Sequence, residues 1–271
     1  MGRMRIGSGV FALVGALLLG AGESAAEWKL YVQAGMGLSG AEVQTNGILD
    51  DINPADPIRA GGRDTDSSPL LDASVGLEVP MDELVPRELL LAVRLPSWPV
   101  RFEVEAAGLR EWEFTTVAGG EAFFTEIKST TVLFNQWLDI PAISLYQPFQ
   151  YLFGLGRQPR VRQFLGPVSF FVGTGVGVTA LMDIDGTSNV VSVHDDPVDF
   201  VWNVGTGFNL KMTERVTLSV GYRYVGFMEQ ESQFQGPGGN DPNNKVDYDL
   251  DVHELRVGLR MRVFEFPSPW R

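Results

Sequence analysis

Two kinds of residue in this 271-residue chain have the types and spacing for chemistry: charges repeated at every second position, and a few isolated polar pairs. The repeated charges are Glu78, Arg101, Glu103, Glu105, Arg223, Glu254, Arg256, Arg260 and Arg262, each in an alternating stretch whose other parity is apolar. Both signs are present. Packed inside a narrow tube, such side chains pair with one another and fill it, so their chemistry is electrostatic and structural. Open conduction would need a wider ring.

The isolated pairs promise less. Ser192 and His194 are two residues apart, but this spacing implies no third group to orient the imidazole, which a nucleophile and base require. The chain has only one other histidine, His253. Asp183-Ile-Asp185-Gly186 opens like a calcium loop, with Asp195 and Asp196 nearby, yet no bidentate glutamate closes the pattern. Gly173, Gly175 and Gly177 mark strand alternation, since no helical pattern follows to make a phosphate-binding turn. The expectation is therefore a non-enzymatic protein with no catalytic residue, metal or cofactor.

The elements that position the charges are short runs of period two. Between Val168 and Met182, the residues Val168, Phe170, Val172, Thr174, Val176, Val178, Ala180 and Met182 share one parity, and Ser169, Gly173, Gly175, Gly177 and Thr179 the other. A greasy face backed by a small or charged face suits a barrel turned apolar side out in lipid. Eight such stretches are expected, at 27–38, 70–79, 100–114, 129–140, 168–182, 199–212, 216–227 and 250–264. Trp28, Trp202, Tyr222 and Tyr224 fall on the outward parity near strand ends, where aromatic girdles sit. In the last stretch, Val246, Tyr248, Leu250 and Val252 have the opposite parity to Leu255 onward. A bulge near His253 would reconcile them, and so would a strand top clear of the membrane; the second is the favoured reading.

The first 26 residues carry Arg3 and Arg5, an apolar run from Val10 to Ala21, and a small-residue end at Ser24-Ala25-Ala26, the layout of a cleaved secretory signal. The run is too short for a spanning helix. Residues 27–264 then form one barrel and 265–271 a short C-terminal extension. The chain has no cysteine, which excludes disulfide staples and thiolate metal sites. Its formal charge of −13 becomes −14 once Arg3, Arg5 and Glu23 leave with the signal, which argues against nucleic acid as a partner. Connections 40–69, 183–199 and 229–251 carry −4, −5 and −5, so the outer face is expected to be acidic. On the opposite side, 80–99 and 141–167 are long for turns and rich in apolar residues. They read as short helices or strand extensions against the rim, as a docking patch for an envelope component, or as two further strands that would make ten.

Several stretches also carry a family resemblance. Residues 167–178, 200–208, 218–224 and 253–263, with Arg101-Phe-Glu-Val-Glu-Ala106 ahead of them, resemble the opacity-type, OmpA-like eight-stranded outer-membrane barrels in order and spacing. The resemblance implies an all-β, closed antiparallel transmembrane barrel in a bacterial outer membrane, with lipid and the barrel-assembly machinery as partners. Roles in that family are varied, including adhesion, envelope integrity and small-solute passage, so the resemblance implies location more than task. The role expected here is envelope-structural or surface-interacting and adhesin-like, with an extracellular or periplasmic protein as a further partner. A narrow, porin-like channel, a lipid-modifying barrel enzyme and a soluble lipocalin-like carrier are the alternatives. Members usually finish on a terminal aromatic that serves assembly, whereas here Val263 takes that phase, Phe264 follows, and residues 265–271 run on. No peptidoglycan-binding domain is expected after the barrel.

Overall fold

A computed structural model describes residues 27–49, 58–86, 90, 96–118, 121–146, 159–187, 192–195, 198–228, 230–236 and 239–268. The signal segment lies outside them. Eight strands close into an antiparallel ring: β1 (Glu27–Leu49), β2 (Ile58–Pro80), β3 (Pro99–Ala118), β4 (Glu121–Pro141), β5 (Val168–Thr187), β7 (Phe200–Lys211), β8 (Val216–Phe227) and β10 (Gly239–Pro267). Each pairs with the next, β5 pairs with β7, and β10 returns to β1. The short strands β6 (Ser192–Asp195) and β9 (Gln230–Gly236) join the sheet only at the end away from the chain termini.

The ring count is therefore eight. β2 pairs directly with β3 and β4 with β5, so neither 80–99 nor 141–167 inserts a strand. Their described residues include helical segments at Met81–Leu84, 142–146 and Pro159–Leu165. No helix among the described residues is long and apolar enough to cross a membrane; the strands are what form the wall.

Alternation places the faces. Exposed Val32, Met36 and Leu38 on β1 continue round the outer wall through Leu71 and Val75, Val104, Val132 and Phe134, Val172, Val176 and Val178, Val204 and Phe208, Val220, and Leu255, Val257, Leu259 and Met261. This apolar belt is the surface that lipid covers in such a barrel. The strands then run well past it, and much of what reads as acidic loop in the sequence is ladder. β1 pairs with β10 without a shift from Leu38↔Leu255 to Ile48↔Lys245, so there is no bulge at His253. Val246, Tyr248, Leu250 and Val252 keep the inward phase of Glu254, and the interior changes chemistry where the strands leave the belt. Above that level Val43, Trp112, Phe114, Phe123, Ile127, Ile184, Val225 and Tyr248 form an apolar core, as in a water-soluble barrel.

Three bulges reset the parity. In β3, Gly108 and Leu109 oppose the single Thr130, since Ala107↔Thr131 is followed by Arg110↔Ser129. In β5 an extra residue at Ala180 turns Met182 inward, where it is buried, against the outward position that unbroken alternation assigns it. In β10, Val263 is the extra residue between Arg262↔Tyr31 and Phe264↔Leu30. The strand continues to Pro267, and Trp28 packs 6.2 Å from Phe266 at only 6% exposure, so it is not an exposed girdle residue. Trp202, Tyr222 and Tyr224 do lie on the outer wall.

Candidate functional site

The lumen at belt height holds two layers of paired charge. The layer nearer the termini is built on β3, β4 and β10. Arg101 Nε donates to Asp139 Oδ2 at 2.9 Å, and its Nη1 donates to Glu103 Oε1. Glu103 also accepts the Tyr31 hydroxyl at 2.6 Å and the Trp137 indole N–H at 3.1 Å. Arg260 reaches Asp139 at 3.5 Å and lies 5.2 Å over the Tyr31 ring. Asn209 donates to the other Asp139 oxygen at 3.0 Å and accepts from Ser219 at 2.7 Å. Two guanidiniums face two carboxylates.

The second layer is tighter. Glu254 Oε1 meets Arg110 Nε at 2.8 Å and Nη2 at 2.7 Å, while Oε2 meets Arg223 Nη2 at 2.6 Å. Arg223 also binds Glu105 at 2.7 Å. Arg256 pairs with Asp72 at 2.6 Å and with Glu105 at 3.2 Å, and Asn135 donates to Glu105 at 3.0 Å. Three guanidiniums face three carboxylates. Balance within each layer matters because a buried charge with no counterpart is costly, whereas one with several short contacts is held in place.

Local sequence explains how these side chains fit. A Cβ on Gly207 would sit 2.5 Å from the Phe171 ring and one on Gly221 2.7 Å from it, so two glycines make room for that ring. Phe171 then stacks edge-on to Trp137 at 5.4 Å and lies under Arg101 at 5.5 Å. Between these groups the lumen keeps a void of about 40 Å³ beside Gln33, Arg101 and Arg256, and another of about 20 Å³ at the terminal mouth beside Lys29 and Arg215. These are water-sized spaces. Above the second layer the inward face is apolar, with Val43, Trp112, Phe114 and Ile127 buried in one cluster.

Seven of the nine charges singled out in the sequence meet in this network: Arg101, Glu103, Glu105, Arg223, Glu254, Arg256 and Arg260. The other two do not. Glu78 pairs with Lys29 at 3.1 Å, and Arg262 with Glu265, both at the mouth where the strands end. Three charged members lie outside that set of nine: Asp72, Arg110 and Asp139. Arg110 opens the densely charged run Arg110-Glu-Trp-Glu113, which is unsuited to a lipid-facing wall, but the Gly108–Leu109 bulge turns it inward, and a glycine beside a break in alternation is the signal that marks such a bulge. Asp139 continues the parity of Asn135 and Trp137, in a strand whose polar face is otherwise uncharged.

The other candidates dissolve into ladder. Asp183 and Asp185 oppose Lys128 and Glu126 in the regular β4–β5 pairing, which is not a calcium loop. Ser192 and His194 lie on β6, opposite Thr187 and Asp185. Among the described residues no three His, Cys, Asp or Glu side chains are grouped to hold a metal ion.

A family model described as outer membrane protein beta-barrel domain matches residues 11–262. Among solved structures, the chain is similar to Neisserial surface protein A, with 15% identity over 86% of this chain and 97% of that one and a TM-score of 0.34. It is similar to the outer membrane protein OprG from Pseudomonas aeruginosa, with 12% identity over 87% and 97% and a TM-score of 0.41. It is also similar to the outer membrane protease OmpT from Escherichia coli, with 6% identity over 87% and 97% and a TM-score of 0.39. No curated protein matches the chain.

Proposed function

The chain belongs to the outer-membrane β-barrel protein family, and on that premise we propose that it is a non-enzymatic, non-conducting barrel of a bacterial outer membrane that holds an acidic surface outside the cell. The observation that carries this reading is the filled lumen: among the described residues, two charge-balanced layers and, above them, an apolar core, with water-sized voids of about 40 and 20 Å³ beside the charges. A tube so packed has no path for solute.

The long strand extensions set the orientation. Long connections face outside in such barrels and short turns face the periplasm. The tight turn after β7, where the Thr213 hydroxyl accepts the N–H groups of Arg215 and Val216, therefore marks the periplasmic side. Glu42, Glu111, Glu113, Glu126 and Asp185 then stand on the outer wall of a rigid stem, placed to meet a positively charged surface. Export follows from the N-terminal signal, and Phe264, turned outward by the Val263 bulge at 60% exposure, offers the terminal aromatic that assembly machinery needs.

The test is reconstitution of the mature chain in planar bilayers, with folding verified by the mobility of boiled and unboiled samples. The expected result is a heat-dependent shift and no conductance. Steady unitary conductance from folded protein would overturn the reading in favour of a channel.

A further inference from the structure

The far edge of the apolar belt is built in two ways. On β7, β8 and β10 it carries an aromatic girdle: Trp202 and Tyr224 lie 5.3 Å apart, and the Tyr222 hydroxyl is 2.6 Å from His253 Nδ1. On β3, β4 and β5 the same edge is aliphatic and broken. The bulge at Gly108–Leu109 and the bulge at Ala180–Leu181 lie at one level, on either side of Thr130. Each adds a side chain to the outer wall: Leu109 is 66% exposed and Leu181 72%. With Val198, 79% exposed, and Pro69 they border a groove of about 780 Å³ that has Thr130 between its walls. Leu109 is also the one non-glycine among the described residues at positive φ, 60°, a conformation that persists where the surroundings hold it and that concentrates at binding sites.

We propose that this groove is a fixed seat for one acyl chain of an outer-leaflet lipid, distinct from the fluid lipid contact of the rest of the belt. The inference rests on the outer-membrane placement proposed above. Continuity identifies the occupant: on the belt side of Thr130 the outer face continues through Val132 beside Val178 and Phe134 beside Val104, all exposed, so a chain enters from the belt without leaving an apolar surface. The rim argues against other occupants. Lys128 lies 3.5 Å from Glu111 and also contacts Glu126, and Asp183 stands opposite it in the ladder, so the rim is carboxylate-rich and repels a free anionic ligand. A second copy of the barrel would bury these half-exposed charges without new partners, which is unfavourable.

The test uses the full mature chain folded into vesicles of phosphatidylethanolamine and phosphatidylglycerol, with a trace of phosphatidylethanolamine bearing a diazirine in its acyl chain. After illumination, labelled positions are mapped by peptide mass spectrometry. Labelling at Thr130 and Val198 is expected to exceed that at Leu255, on the opposite wall near the same edge, several-fold. Leu109→Gly suits the positive φ and removes one side of the groove; Leu181→Ser removes the other. Each should lower the labelling of Thr130 and Val198 to the level of Leu255 while the heat-dependent gel shift is retained, and Leu109→Gly alone decides the matter if the second variant does not fold. Uniform labelling around the edge, unchanged labelling in Leu109→Gly, or cross-linked dimers through the groove would each overturn the seat while leaving the membrane placement standing. An absence of label from the whole belt would remove the placement itself.

Discussion

Replacing Glu254 by glutamine should be the most damaging isosteric change in this barrel. Glu254 is fully buried, and its two oxygens divide between Arg110 and Arg223 at 2.6–2.8 Å. Glu254→Gln keeps the volume and removes the charge, leaving three guanidiniums facing Asp72 and Glu105. Removing one partner of a buried ion pair costs about 3–5 kcal/mol, because the remaining charge stays buried and uncompensated. At 1.4 kcal/mol per tenfold, that is a loss of about a hundredfold to a few thousandfold in the ratio of folded to unfolded protein. The assay is urea unfolding in lipid vesicles followed by tryptophan fluorescence and gel mobility, extrapolated linearly to zero denaturant. Glu254→Gln combined with Arg110→Met restores equal numbers of the two signs and should recover most of the loss, since a pair removed whole is often neutral. If Glu254→Gln unfolds within about 0.5 kcal/mol of the parent, the pair behaves like a solvent-screened surface bridge, and the closed-lumen argument fails.

Three further outcomes follow from the same geometry. Phe114→Ala, which empties a fully buried ring from the apolar core beyond the belt, should cost about 3–5 kcal/mol and open the stem to protease, while the belt-level barrel keeps its heat-dependent shift. Burial pushes the Tyr248 phenol above its ordinary value near 10, so its contribution is fully present below that pH and is lost as pH rises beyond it; urea unfolding above pH 10 should show this loss in the parent and not in Tyr248→Phe. Gly207→Val would drive a side chain into the Phe171 ring and the facing strand, so the unboiled sample should run as unfolded chain, whereas Val204→Ala on the lipid-facing parity of the same strand should leave the shift intact.

Alternation by itself determined most of this protein. Period-two runs mark eight strands and most of the residues that meet lipid, because a strand side chain has only two directions to point, while the choice between eight and ten rests on the pairing of β2 with β3 and β4 with β5. Within one run the partners of Arg101, Glu105 and Glu254 cannot be named, but their placement inside a tube can, since an eight-stranded ring leaves no room for unpaired charge. What alternation does not encode is the count of residues between one strand and its neighbour. The single residues inserted near Ala180 and Val263 leave no mark along the chain, and the one near Leu109 leaves only a glycine beside a break in alternation, yet each reverses every later side chain of its strand relative to the partner. They turn Arg110 and Met182 inward and Phe264 outward. The tertiary structure also decided where the lumen stops being polar, because the same inward parity carries Glu254 at belt height and Val252, Leu250 and Tyr248 above it. In lipid the outer wall must be apolar and in water the core must be, and only the height of each residue on the closed ring says which solvent its strand is passing through.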